Sequence, residues 1–176
     1  MEVTLINAPD SINTNRVFCA LIFYADKLLS KRLSKSIVIK VKFVKGLRKD
    51  RKIDAQCIWE DDNYKPREFC IELDYDLGVK STLSSLAHEM VHVKQYAKGE
   101  IRDMLRGPYD IKWLGKPFDE NGTDYWDLPW EIEAYGREIG LYNRFVEHWR
   151  KLNAKDKKAQ SDSANTTHTL ILKKGC

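Results

Sequence analysis

The chain has 176 residues, 43 % of them hydrophobic, and a formal net charge of +4: enough for one domain with a buried core, too little for two ordinary ones. The mild positive charge permits an acidic or nucleic-acid partner without requiring one. No apolar run follows Met1, and none approaches the roughly 18 residues that cross a bilayer, so the sequence predicts a soluble cytoplasmic protein with no signal peptide, transmembrane segment or membrane partner. The four cysteines, Cys19, Cys57, Cys70 and Cys176, form no Cys-x-x-Cys pair. Three read as small buried groups in a reducing compartment, and a Cys57–Cys70 bridge is the less favoured reading.

Apolar residues recur at Val17, Leu21, Ala25 and Leu28, with Phe18, Ile22 and Leu29 beside them, which predicts a core-facing helix over 14–33 capped by Asn13 or Thr14. Ile37, Ile39, Val41 and Phe43 then alternate with lysines, the period of a half-buried strand. Lys40, Lys42, Arg48, Lys49, Arg51 and Lys52 form the densest positive run of the chain. It reads as a solvated strand face that discourages edge pairing, in preference to a phosphate-binding edge. Strands follow at 53–59 and 67–75, with a turn between them, and the second is expected to border any cleft.

Residues 86–95, LAHEMVHVKQ, place His88, Glu89 and His92 in a His-Glu-x-x-His arrangement. This composition yields roughly 0.006 such matches by chance, so coincidence explains it poorly. On a helix the two imidazoles share a face and can hold one zinc ion, while Glu89 leans toward a water activated by the metal. Leu83, Leu86, Ala87, Met90 and Ala97 make the core stripe, with His88 and His92 nearly opposite, alongside Ser81, Ser85 and Gln95. After Gly99 comes a long Gly-, Pro- and Asp-rich stretch, read as a short helix near 100–106 and a rim of Tyr109, Trp113, Phe118, Tyr125 and Trp126.

Asp127 can cap a further helix, Pro129 suits its first turn, and Ile132, Tyr135, Ile139, Tyr142, Val146 and Trp149 form its stripe. That helix offers Glu131 and Glu133 as the third metal ligand. Glu131 lies about 50° from the stripe centre and Glu133 about 150° away, with Arg137 four residues on as an ion-pair partner. Glu131 is therefore the preferred ligand and Glu133 the alternative. Tyr125, Tyr135, Arg137 and Tyr142 are candidate oxyanion donors. From Asn153 the chain is polar until a short LIL and reads as a flexible tail, leaving residues 1–152 as the domain.

LAHEMVHVKQ followed by PWEIEAYGRE resembles the gluzincin branch of the zincin metallopeptidases in its smallest single-domain form, and the SprT-like small zincins of bacteria and phages. The resemblance covers roughly residues 35–150. Glu131 is followed three positions later by Ala134, as in several gluzincin groups, but Tyr135 stands where an Asp or Asn often follows. The later histidines, His148 and His168, suit a three-histidine site badly, and Gln95 and Lys98 replace the Gly and His of the metzincin pattern.

The resemblance implies an α+β, zincin-like fold, with an N-terminal helix and a short mixed or antiparallel sheet packed on the active-site helix, then a ligand-bearing C-terminal helix. The implied function is that of a monomeric metallopeptidase with one Zn2+, Glu89 as general base and a protein or peptide substrate. The alternatives are a non-catalytic zincin-like binding or regulatory protein, against which Glu89 argues, and a DNA-associated SprT-like protease.

Overall fold

The computed structural model describes residues 1–103 and 111–155, and the helical backbone on to 172. The fold is mixed α+β with two sheets. In the first sheet the strands β1 (Glu2–Ile6), β2 (Val38–Val44), β3 (Ala55–Trp59) and β4 (Glu68–Asp74) are ordered β1-β2-β4-β3. Alternation works as read in β2, where Ile39, Val41 and Phe43 are buried and the lysines between them are not. β1 and β4 flank β2 in parallel, and β3 closes the sheet antiparallel to β4.

This order corrects one expectation. The strand at a free edge is β3, while β4 is interior and has Phe69, Ile71 and Leu73 fully buried. The register also settles the cysteines: Cys57 stands opposite Ile71 and Cys70 opposite Ile58, so the two thiols lie on opposite faces, and both are free. Cys176 lies outside the described residues.

The helix read over 14–33 divides. α1 (Thr14–Leu28) is capped by Asn13, whose side chain accepts from the Arg16 amide, and Leu29 turns extended. Ser30 then caps a separate α2 (Lys31–Lys35). Val17, Leu21, Ala25 and Leu28 are buried as expected, whereas Phe18 and Ile22 face outward. The turn after β2 contains another short helix, α3 (Leu47–Arg51).

α4 (Val79–Lys98) carries the His-Glu-x-x-His residues. It stops at Gly99, whose left-handed backbone directs its N–H to the carbonyls of Gln95 and Tyr96. α1 and α4 pack together, and α4 also lies against β3 and β4. On the face opposite the apolar stripe, His88, Glu89, His92 and Gln95 are buried as well.

The short helix expected near 100–106 is not seen in the described part of that stretch. Residues 101–103 are β5 (Ile101–Asp103), which joins β6 (Ile111–Trp113) and β7 (Lys116–Phe118) in a three-stranded antiparallel sheet; 104–110, with Tyr109, lie outside the described residues. β6 and β7 turn through Leu114 and Gly115, both at positive φ as a tight hairpin requires. Ile101, Ile111, Leu128 and Trp130 form a small core, with Tyr96, Trp113 and Phe118 packed on it. It ties the end of α4 to the start of α5 (Pro129–Leu172), which a 3-10 turn at Tyr125–Asp127 precedes. Leu128, not Asp127, therefore precedes the first helical residue.

The chain divides into two compact units, Met1–Tyr142 and Asn143–Cys176. The second carries the rest of α5, with the Phe145 and Trp149 rings 6.1 Å apart. The stretch from Asn153, read as a flexible tail, has helical backbone to Leu172; it lacks Gly and Pro until Gly175, so no local breaker ends the helix earlier. No helix among the described residues is long and apolar enough to cross a membrane.

Fully buried Tyr24 donates to the Leu83 carbonyl at 3.1 Å, pinning α1 to α4. Tyr24→Phe is expected to lower stability by about 1 kcal/mol in urea unfolding with an unchanged slope.

Candidate metal centre

One helical turn separates His88 from His92, and their Nε2 atoms lie 3.2 Å apart. Glu131, in the first turn of α5, brings Oε2 to 3.3 Å from His88 Nε2 and Oε1 to 3.4 Å from His92 Nε2. The three side chains are only 10 to 11 % exposed. They form one group whose ligand atoms lie within 4.8 Å of one another. A tetrahedral ion with bonds of about 2.0–2.1 Å holds its ligands about 3.3 Å apart, so the donor set fits a single metal ion.

The outer nitrogens of both rings are engaged. His92 Nδ1 is 2.8 Å from Gln95 Oε1. Gln95 Nε2 donates to the Trp130 carbonyl at 3.0 Å, which can only accept, so Oε1 is left to take the His92 Nδ1 proton. His88 Nδ1 is 3.3 Å from Glu138 Oε2, and Ser84 Oγ donates to the other oxygen of that carboxylate at 2.5 Å. With each Nδ1 proton held by its partner, Nε2, which faces Glu131, is the nitrogen that would give up its proton to a metal ion.

Without a metal ion, the electrostatics favour protonated rings beside an ionised Glu131. Burial disfavours the charged form of His88, but Glu131 and Glu138 outweigh it and raise its pKa to about 9. His92 is shifted the same way: burial lowers it, and Glu131 more than compensates. Burial also opposes ionisation of Glu131, yet hydrogen bonds with His88, His92 and Tyr125 hold its carboxyl well below the usual range. The centre thus attracts positive charge.

Glu133 is placed differently. It accepts from buried Lys94 at 2.6 and 2.9 Å, from Gln95 at 3.1 Å and from Arg137 at 2.8 Å. It anchors the side chain that orients His92 and lies outside the donor group. Gln95 shares the histidine face of the helical wheel, and that was the available signal for its role. Glu138 went unread although it stands seven residues, two turns, beyond Glu131 and hence on the same face. It supplies an orienting carboxylate that Tyr135 cannot.

Glu89 is 5 % exposed, and burial, partly offset by His92 and His88, raises its pKa. Together with His88, His92 and Glu131 it lines a cavity of about 230 Å3, bounded across from α4 by Ala55, Gln56 and Cys57 of β3. A neighbouring cavity of about 470 Å3 shares His88 and Glu89 and is walled by Trp126, Tyr135 and Glu138. Tyr125 lines both and donates to Glu131 Oε2 at 2.7 Å. The Tyr135 ring stands edge-on to His88, centroids 4.5 Å apart. Arg137 and Tyr142 line neither cavity.

Compared with protein-family models, curated proteins and solved structures, the chain matches none.

The different surroundings of the two glutamates separate their roles. Glu133→Ala strips the anchor from Lys94, leaving it the Glu100 carboxylate at 2.6 Å, and is expected to cost about 2 kcal/mol in urea unfolding. Glu131→Ala removes the partner of His88, His92 and Tyr125; it is expected to lower metal-free stability as well and, unlike Glu133→Ala, to abolish metal uptake, measured by competition with a chromophoric chelator. Glu138→Gln is expected to keep the site but weaken uptake about 10- to 100-fold in the same assay.

Proposed function

We propose that the protein is a zinc-dependent metallopeptidase of zincin type. The observation that carries this reading is that Glu89 lines the same small cavity as the three converging donors, with the free edge of β3 across from it. Unlike Glu138, which orients His88, Glu89 makes no hydrogen bond to any of the three donors, so a purely structural site gives it no task. The zincin reading is supported by a His-Glu-x-x-His helix lying against a mixed sheet whose antiparallel edge strand borders the cavity.

His88 Nε2, His92 Nε2 and the Glu131 carboxylate would hold the ion. Bound there, zinc supplies Lewis-acid chemistry, acidifying a water molecule and polarising the substrate carbonyl. The chain's own residues do the rest. Backbone groups on the open edge of β3 take an extended peptide as a further strand and set its carbonyl beside Glu89. Glu89 accepts a proton on its carboxylate from the attacking water, and the remaining hydroxide forms the new C–O bond. Glu89 then delivers that proton to the leaving nitrogen as the C–N bond breaks. Tyr135, on the wall of the larger cavity, is the hydroxyl available to the developing oxyanion, since Tyr125 already donates to Glu131 Oε2.

The positive run after Val38 argues for a peptide partner over a nucleic acid. Lys40 pairs with Glu60, Lys42 with Glu72 and Arg48 with Asp54, so much of its charge is answered within the sheet and the adjoining loops.

Glu89→Gln is expected to bind zinc at wild-type stoichiometry and to lose at least about 100-fold in cleavage of casein or a quenched fluorescent peptide. Undiminished cleavage in that variant would remove Glu89 from the mechanism.

A further inference from the structure

Beyond the metal cavity along both walls lies a larger space of about 490 Å3, walled by Trp59, Tyr64, Pro66, Tyr96 and Ile101. Tyr96 belongs to both spaces. On α4 it sits one turn, about 6 Å, past His92. On β3, side chains two apart share a face, so Trp59 follows Ala55 and Cys57 of the metal cavity, about 7 Å beyond Cys57. Both walls advance by nearly the step that separates alternate side chains of an extended peptide. The Trp59 and Tyr96 rings meet at 4.6 Å and form a continuous aromatic wall.

The charges on the rim cancel. Asp62 and Asp103 face Arg102 and Lys112. The Arg102 guanidinium already lies 4.4 Å over the Tyr64 ring, bonds the Tyr64 hydroxyl, and donates to the Gly99 carbonyl at 2.8 Å. Tyr64 is thus taken by an internal cation, and Trp59 and Tyr96 remain as uncharged surface.

We infer that this space is a specificity pocket for a bulky apolar, preferably aromatic, side chain of a peptide running along β3, about two residues from the one beside the metal cavity. The inference rests on the peptidase reading of the adjacent site. The other exposed aromatic residues on the described cleft walls, Tyr125, Trp126 and Tyr135, belong to the neighbouring cavity, which neither Trp59 nor Tyr96 lines.

The test uses capped eight-residue Gly/Ser peptides in which one Phe is moved position by position, each compared with the same peptide carrying Ala. Affinity is measured by calorimetry against the zinc-loaded Glu89→Gln protein, which holds peptides uncut, and cleavage by wild type is followed separately. At one register Phe should bind about tenfold more tightly than Ala, as expected for burying an aromatic side chain. That preference should fall to within about twofold in Trp59→Ala and persist in Trp59→Phe. Trp59 is 36 % exposed, so neither change threatens the fold. The absence of any register with a Phe preference, or a preference that survives Trp59→Ala, overturns the pocket. Peptides bound with the preference but never cut refute the peptidase reading and support the pocket; peptides cut without it do the reverse.

Discussion

Two imidazole nitrogens and a carboxylate are pointed at one another across little more than 3 Å in a nearly dry site. Left without positive charge, that arrangement is repulsive, and burial makes it more so. Much of the surrounding structure exists to enforce it. Gln95 and Glu138 hold the outer ring nitrogens, Ser84 holds Glu138, and Glu133 with Lys94 holds Gln95. Each oriented group is itself oriented, and the chain of restraint ends in buried helix.

This accounts for burial on all sides of α4. A helix that merely floored an open cleft would need one apolar stripe, and α4 has it in Leu83, Leu86, Ala87 and Met90. The polar residues on the other side are buried because the first turn of α5 covers them, held down by Trp130 in the small aromatic core and by Gln95 on the Trp130 carbonyl. The three-stranded β5–β7 sheet therefore has a structural task besides forming a rim: it fixes the point from which Glu131 is presented.

What could be read from the sequence follows the range of the interactions. His88, Glu89 and His92 are set by spacing within one helix. The angular choice of Glu131 over Glu133 used a stripe whose Ile132, Tyr135 and Ile139 are exposed; the buried face of α5 is instead Trp130, Ala134 and Leu141, and Glu131 adjoins it. The order of strands is not local, and β3 rather than β4 takes the edge because β2 pairs with β4 across a sheet whose partners lie 30 residues apart. β1 is five residues long, and β5 to β7 are three each, too short for periodicity to register. Their turn uses Leu114 before Gly115, not the Asn or Asp that would have announced it. Glu138 was hidden differently: its partner is a histidine 50 positions away, and no short motif spans such a distance.

The link from Lys94 through Glu133 and Gln95 to His92 has a meaning for assembly. The two donors on α4 are complete once that helix forms, but the third arrives only when the first turn of α5 has docked, and the same docking completes the hydrogen bonds of Gln95. Closing the aromatic core, seating α5 and creating a full-strength ion site are consequently one cooperative event. A bound cation then acts as a clasp, adding its own binding free energy to the closed arrangement alone and drawing the population of partly opened molecules down in proportion to the free ion concentration.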